Sequence, residues 1–361
     1  MINIIKRVYS KLYYFKNKYS NKYRYKFIVD QLKYSKNEKR ILLMGTSIYG
    51  NLGDQAISES EIKFIKENFS NVKLIEVPGN FYITNEKIIN QYITSNDLLI
   101  LTGGGFLGSL WPEGQDIANR LIQNFKQNKI VIFPQTIYYS PENEVLIEDH
   151  KNIYSSHKNL SMIVRDKRSQ EFLYKNSFKF KNILYTPDIV TFLDENNRKE
   201  RPEYISLILR EDKESVIDLK KIKTIQNILK ELNEENLRTE EYDTVLNKKI
   251  DLLNRKNELN LLFNKISKSK IVVTDRLHGM LLSVICGIPV IALDNISKKV
   301  YGSYQWLEKL GYVYYVSDEI DKEKIRYLFI NRDNFNYNNF LFKDYHDEIV
   351  NLVRSELSEI Q

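Results

Sequence analysis

The chain has 361 residues and a formal net charge of +7, enough length for two ordinary domains with real cores. Its single cysteine, Cys286, excludes an internal disulfide framework and points to a reducing compartment. No stretch approaches the ~18–20 apolar residues of a membrane span, and the lysine- and tyrosine-broken N-terminus lacks the apolar region of a secretory signal.

The charge is unevenly placed. Residues 1–40 hold twelve Lys and Arg against Asp30 and Glu38, a balance of +10 that leaves the rest of the chain near −3. This argues against a nucleic-acid-binding body and for a basic leader on a mildly acidic, enzyme-like one. Within the leader, Ile5, Val8, Leu12, Phe15 and Tyr19 recur at spacings of 3 and 4, with Lys6, Lys11, Lys16 and Lys18 largely off that face. Two readings stand. Residues 1–25 rest on an anionic membrane surface, or the helix docks on its own domain.

From residue 41 to 195, short apolar runs alternate with helical patterns. The predicted strands are 41–45, 72–77, 97–102, 129–133, 161–165 and 182–186, with helices over 55–69 and 115–127 among them. Such runs indicate a parallel sheet covered on both faces. The polar segment 194–202, "DENNRKERP", reads as a linker. A second series follows over 203–345, with strands at 204–209, 270–274, 289–293 and 312–316. The stretch 211–268 between them is mostly helical in pattern and reads as disordered near 231–241. A helix closes the chain over 346–361. The predicted fold is α/β: two Rossmann-like, doubly wound domains facing a cleft, where ligands sit at the carboxyl ends of strands.

Five strand ends carry candidate chemistry. The first, "GNLGDQAI" at 50–57, places Asn51, Gly53 and Asp54 at a helix entrance, an anion-friendly position. Asp54 reads as a helix cap or as a carboxylate facing the cleft. The second, "LTGGGFLGSLW" at 101–111, has Gly103, Gly104 and Gly105 in succession, for close approach of backbone or ligand. Phe106, Leu107 and Trp111 would then supply a wall. In the third, "FPQTI", Gln135 is a hydrogen-bonding group or a packing one. Arg210 ends the first strand of the second series, where it pairs with an anionic ligand or an internal carboxylate. Last, "TDRLHG" at 274–279 sets Arg276 and His278 two apart at a helix entrance, suited to phosphate or carboxylate. Without Cys or His clusters, no metal site is expected.

Taken together and in order, "GNLGDQAI", "LTGGGFLG", "FPQTI", "VRDKRSQEFL", "TPDIV", "LILRED" and "TDRLHGMLLSVICGIPVIALD" resemble the polysaccharide pyruvyl transferases. The resemblance runs from about residue 41 to 307. It implies a GT-B-like two-domain fold and transfer of a pyruvyl group from phosphoenolpyruvate to a sugar of a surface polysaccharide or its lipid-linked precursor. The product would be a pyruvate ketal, and phosphate is released. Phosphoenolpyruvate is then a donor substrate, and no cofactor is expected. The resemblance further implies a clamp for the donor from Arg210, Arg276 and the backbone at Leu277–His278. His278 would be general acid or phosphate ligand, and Asp54 would orient or deprotonate the acceptor. Arg165, in "VRDKRS", is a candidate for the cleft, and Asp188, in "TPDIV", for the interdomain turn. A cytoplasmic site follows from the donor, peripheral on the inner membrane face if the acceptor is lipid-linked. Two other readings remain open: a nucleotide-sugar-dependent glycosyltransferase of the same architecture, and a non-catalytic glycan-binding protein.

Overall fold

The computed structural model describes residues 25–210, 212 and 218–360. The amphipathic face of Ile5 to Tyr19 lies outside the described residues. The next part of the basic leader folds as α1 (Lys26–Tyr34), with Tyr25, Ile28 and Leu32 buried against the first domain.

Twelve strands in the described residues form two parallel sheets. The first contains β1 (Arg40–Thr46), β2 (Lys73–Pro78), β3 (Asp97–Leu101), β4 (Gly104–Gly108), β5 (Lys129–Tyr138), β6 (Leu160–Val164) and β7 (Asn182–Tyr185). Its order is β2-β1-β3-β5-β6-β7, with β4 paired to β5. The second contains β8 (Tyr204–Ile208), β9 (Arg238–Tyr242), β10 (Ser269–Thr274), β11 (Val290–Ala292) and β12 (Val313–Tyr315), ordered β12-β11-β10-β8-β9. Helices cover both faces, which is why β3, β6, β8 and β10 are buried at every position. The strand order reverses between β1 and β3 in one sheet and between β8 and β10 in the other. In doubly wound sheets, those two points are where ligands bind.

Two strands escape the sequence pattern. β4 begins inside the triple glycine, where no side chains show a period of two. β9 falls in the segment expected to be disordered. It is a polar edge strand, "RTEEY", pairing only with β8, and edge strands need no continuous apolar run.

Helices follow most of the strands. α2 (Leu52–Asn68) follows β1, α3 (Gly79–Asn90) follows β2, α4 (Pro112–Asn124) follows β4, and α5 (Leu146–Ser155) lies between β5 and β6. α2 starts three residues before its predicted start because Asn51 caps it, accepting a bond from Gly53 N at 3.0 Å. α6 (Lys167–Lys175) follows β6, and α7 (Leu219–Leu232), α8 (Arg255–Ser267), α9 (Leu277–Ile285), α10 (Lys299–Leu307) and α11 (Lys322–Ile330) belong to the second half.

The two halves are tied by more than the linker. The segment 244–246 bonds to the opening loop: Leu52 N donates to Thr244 O and Leu246 N to Gly50 O, both at 2.8 Å. Arg255, on α8, donates to Gln55 and forms an ion pair with Glu76 at 2.6 Å, both in the first half. The last helix, α12 (Lys343–Ser358), returns to the first sheet. There Glu356 accepts from Ser161 and Lys181, and His346 meets Thr191 at 3.1 Å. The result is a GT-B-like pair of α/β domains across a cleft.

Candidate active site

A cavity of ≈ 510 Å³ lies between the carboxyl ends of the two sheets. Each wall is built at a strand-order reversal. From the first domain come the loop after β1 and the first turn of α2, with Asn51 and Asp54, and the glycine run from the end of β3 into β4, with Gly103 and Gly105. From the second come Arg210 after β8 and Arg276, Leu277 and His278 after β10.

Asp54 is not the cap of α2; Asn51 is. That frees Asp54 in the first helical turn, where Tyr49 Oη and Asn51 Nδ2 both donate to its Oδ2, at 2.8 and 2.7 Å. The carboxylate is thus fixed in the cavity wall with Oδ1 clear of both bonds. The helix dipole favours its negative charge at this end.

Across the cavity stand the cations. Arg276 Nη1 donates to Asp212 at 2.7 Å and Nη2 to Asp243 at 2.5 Å, holding the guanidinium in one orientation. Arg210 meets the same Asp212 at 3.0 Å and donates its backbone N–H to Asp275. Burial pushes the Asp275 carboxyl up to about 6, against the pull of the Arg210 N–H and the two guanidiniums. α9 begins directly after Arg276 with no side chain capping its first N–H groups, and its first residues, Leu277 and His278, line the cavity.

His278 completes this wall. Its Nε2 is 3.6 Å from Asp188 Oδ2. Asp188 is buried and binds Arg165 Nη1 at 2.5 Å. Burial alone would raise its pKa, yet Arg165, His278 and the Val190 N–H outweigh that and hold the carboxyl well below its ordinary range. Asp188 therefore brings a fixed negative charge to the imidazole, besides capping the short turn at Ile189–Phe192. The imidazole's other side packs on Gly53, where a Cβ would lie 2.3 Å from His278 Nδ1.

Three expected binding residues are placed elsewhere. Gly53, Gly104 and Gln135 do not line the cavity. Gly53 makes room for His278 instead of touching a ligand. Gly104 is taken up in β4. Gln135 is fully buried in β5, its Nε2 donating to Thr102 O at 2.8 Å, so it holds the glycine loop from behind. Arg165 does reach the cavity, but its guanidinium is committed to Asp188 and Thr136. Phe106 and Trp111 line the cavity, whereas Leu107 is buried in the core.

Sequence reasoning missed Lys299, Asn80 and Tyr49, all on the cavity wall; in a chain this rich in Lys, Asn and Tyr no local pattern marks them. It also missed Glu61. This fully buried carboxyl accepts from Thr102 Oγ1 at 2.7 Å and Gly103 N at 2.6 Å under the glycine loop. Burial pushes its pKa up to about 8, over the opposing effect of those two bonds.

The chain is similar to known proteins in sequence and in fold. Residues 51–297 match the family model described as "Polysaccharide pyruvyl transferase". General stress protein 30 of Bacillus subtilis is 33% identical over 296 residues, 80% of this chain and 84% of that protein. Pyruvyl transferase 1 of Schizosaccharomyces pombe is 27% identical over 304 residues, 79% of this chain and 74% of its own. A crystal structure of an uncharacterized protein from Klebsiella pneumoniae shares the fold, with a TM-score of 0.54 at 19% identity, covering 82% of this chain and 98% of that one.

Proposed function

The chain belongs to the polysaccharide pyruvyl transferase family, and from that premise we propose that its cavity transfers the pyruvyl group of phosphoenolpyruvate to two hydroxyls of a glycan, as a ketal. The observation that carries this reading is the division of the cavity. Two arginines and an uncapped helix end form one wall, and a carboxylate held by Tyr49 and Asn51 forms the other.

Phosphoenolpyruvate has two anionic groups, a phosphate and a carboxylate. Arg210, Arg276 and the N–H groups of Leu277 and His278 supply matching donors on one face. The reaction starts with a proton to the donor's methylene carbon, which becomes a methyl group and leaves an oxocarbenium-like centre next to it. A sugar hydroxyl adds to that centre, its proton passing to a base. The bond to the phosphate oxygen then breaks, and its electron pair leaves with phosphate. A second hydroxyl closes the ring and gives up its proton, which balances the protonated phosphate. His278, on the arginine-bearing wall and beside Asp188, is assigned the acid. Asp54 is assigned the base for the hydroxyl. The arginines stabilise the charge that grows on the leaving phosphate.

Phosphate release from phosphoenolpyruvate, in the presence of hydrolysed surface polysaccharide, tests the assignment. Arg276→Ala and His278→Ala are each expected to slow it by about 10²-fold or more, the usual cost of losing a charge-stabilising or proton-transferring group. Asp54→Asn should fall similarly while keeping its affinity for phosphoenolpyruvate. Wild-type rates in folded Arg276→Ala and His278→Ala would remove the donor site from this wall.

A further inference from the structure

A second hollow of ≈ 530 Å³ opens beside the first, lined by Tyr138, Tyr139, Arg168, Asp294, Lys298, Tyr301 and Tyr315 among others. Its two sides come from different domains. Tyr138 and Tyr139 lie at the end of β5, and Tyr301 is on α10. Arg168, at the start of α6, donates across to Ser297 O at 2.9 Å and joins the two.

Its chemistry is specific. Tyr301 is 43% exposed and packs against Tyr315 with ring centres 5.0 Å apart. Tyr315 in turn stacks on Tyr304 at 5.4 Å, which fixes its ring. On the opposite side Tyr139 stacks on Phe172 at 5.2 Å, and its hydroxyl meets His150 Nδ1 at 2.7 Å. Tyr139 and Tyr315 are therefore each held by a stacked neighbour. Between them stand hydrogen-bonding groups of both kinds. Asp294 accepts from Tyr315 Oη at 2.9 Å and lies 3.7 Å from Lys298 Nζ, and Arg168 adds a planar donor.

The hollow and the cavity adjoin along the chain at the entrance of α10. Lys298 takes a left-handed conformation, φ 57°, at the entrance of α10. The consecutive residues Lys298 and Lys299 thereby serve different hollows, Lys298 the second and Lys299 the first.

Aromatic faces beside paired donors and acceptors suit a pyranose, which offers an apolar C–H face and a rim of hydroxyls. An apolar partner would take Asp294, Arg168 and Lys298 out of water and add no bond to them, and a purely anionic one would meet Asp294. We propose that this hollow is a second glycan subsite, holding sugar units that adjoin the one presented to Asp54. It rests on the glycan-acceptor reading above and extends it to a chain of several units.

The test separates the two claims by measuring binding without phosphoenolpyruvate. Mono- to hexasaccharides from partly hydrolysed bacterial surface polysaccharides are titrated into the full chain by saturation-transfer NMR. Oligosaccharides should bind about tenfold more tightly than their own monosaccharides, an aromatic-face contribution of the usual size. Tyr301→Ala and Asp294→Asn should abolish that gain, and His278→Ala should keep it. No binding of any oligosaccharide, no dependence on length, or a gain that survives both groove substitutions overturns the subsite. Phosphate release is read separately. Length-dependent binding with no phosphate release from phosphoenolpyruvate contradicts the transferase reading and leaves the subsite standing. Phosphate release with length-independent binding does the reverse.

Discussion

Gly53 and His278 come from opposite domains and touch. A methyl group at Gly53 would lie 2.3 Å from the imidazole Nδ1, so Gly53→Ala must displace the His278 ring. A shift of about 1 Å in a catalytic group costs on the order of 10²-fold in rate. Gly53→Ala should therefore lose phosphate release by about that factor in folded protein, with some loss of stability from the overpacked contact; unchanged kinetics would mean the imidazole position is not critical. A second residue-scale effect concerns pH. Glu61 keeps its proton in the fold up to about pH 8, whereas an unfolded Glu releases it near 4.5. The folded state binds the extra proton, so stability falls as pH rises through that window. Asp275, raised to about 6, acts in the same direction at lower pH, and His346, lowered to about 4, acts in the opposite direction below 6.5. Between pH 6.5 and 8 Glu61 dominates, with a loss on the order of 2 kcal/mol. Urea midpoints should decline across that range in the wild type and stay level in Glu61→Gln, and parallel slopes would contradict the assignment.

At the scale of elements, the entrance of α2 does two jobs with adjacent side chains. Asn51 caps the helix through Gly53 N and orients Asp54 through its Nδ2. Asn51→Ala is expected to cost about 1 kcal/mol of stability as a lost cap. It should also slow turnover at saturating phosphoenolpyruvate, because the acceptor carboxylate loses a partner. Loss of stability with unchanged turnover would confine Asn51 to the cap. The sequence marked this entrance by its glycines and its Asp, and it marked the strands as apolar runs between helical patterns. It could not tell which residue caps, because Asn51 and Asp54 are both good caps and their φ/ψ decides. Nor could it show β4 and β9. One begins in glycines with no side chains to alternate, and the other is a charged edge. The second domain's cavity wall was the most legible part, since Arg276, Leu277 and His278 are local to one strand–helix turn. Gln135 and Gly104 lie off the cavity lining, because adjacency to a strand end does not say which way a residue faces.

Across the whole molecule, the cleft depends on contacts far apart in sequence. Gly50 and Leu52 pair with 244–246, and Arg255 reaches from α8 into the first domain, where it binds Gln55 and Glu76 while 2% exposed. No pattern in a single sequence reveals such pairings; they exist only once both domains are folded. Removing one partner of a buried ion pair leaves the other without compensation, typically a loss of about 3–5 kcal/mol. Arg255→Ala should therefore lower the chemical-denaturation midpoint and weaken turnover by loosening the acceptor loop against His278. A variant as stable as the wild type would show that the domains do not rely on this contact. The central claim is that the two walls act on one donor and one glycan. It is tested most directly by mass spectrometry of a surface-polysaccharide oligosaccharide after incubation with phosphoenolpyruvate and the full chain. The account predicts one added pyruvate ketal for each phosphate released, abolished in His278→Ala. Phosphate released without a ketal on the glycan, or a sugar transferred from a nucleotide donor instead, would contradict it.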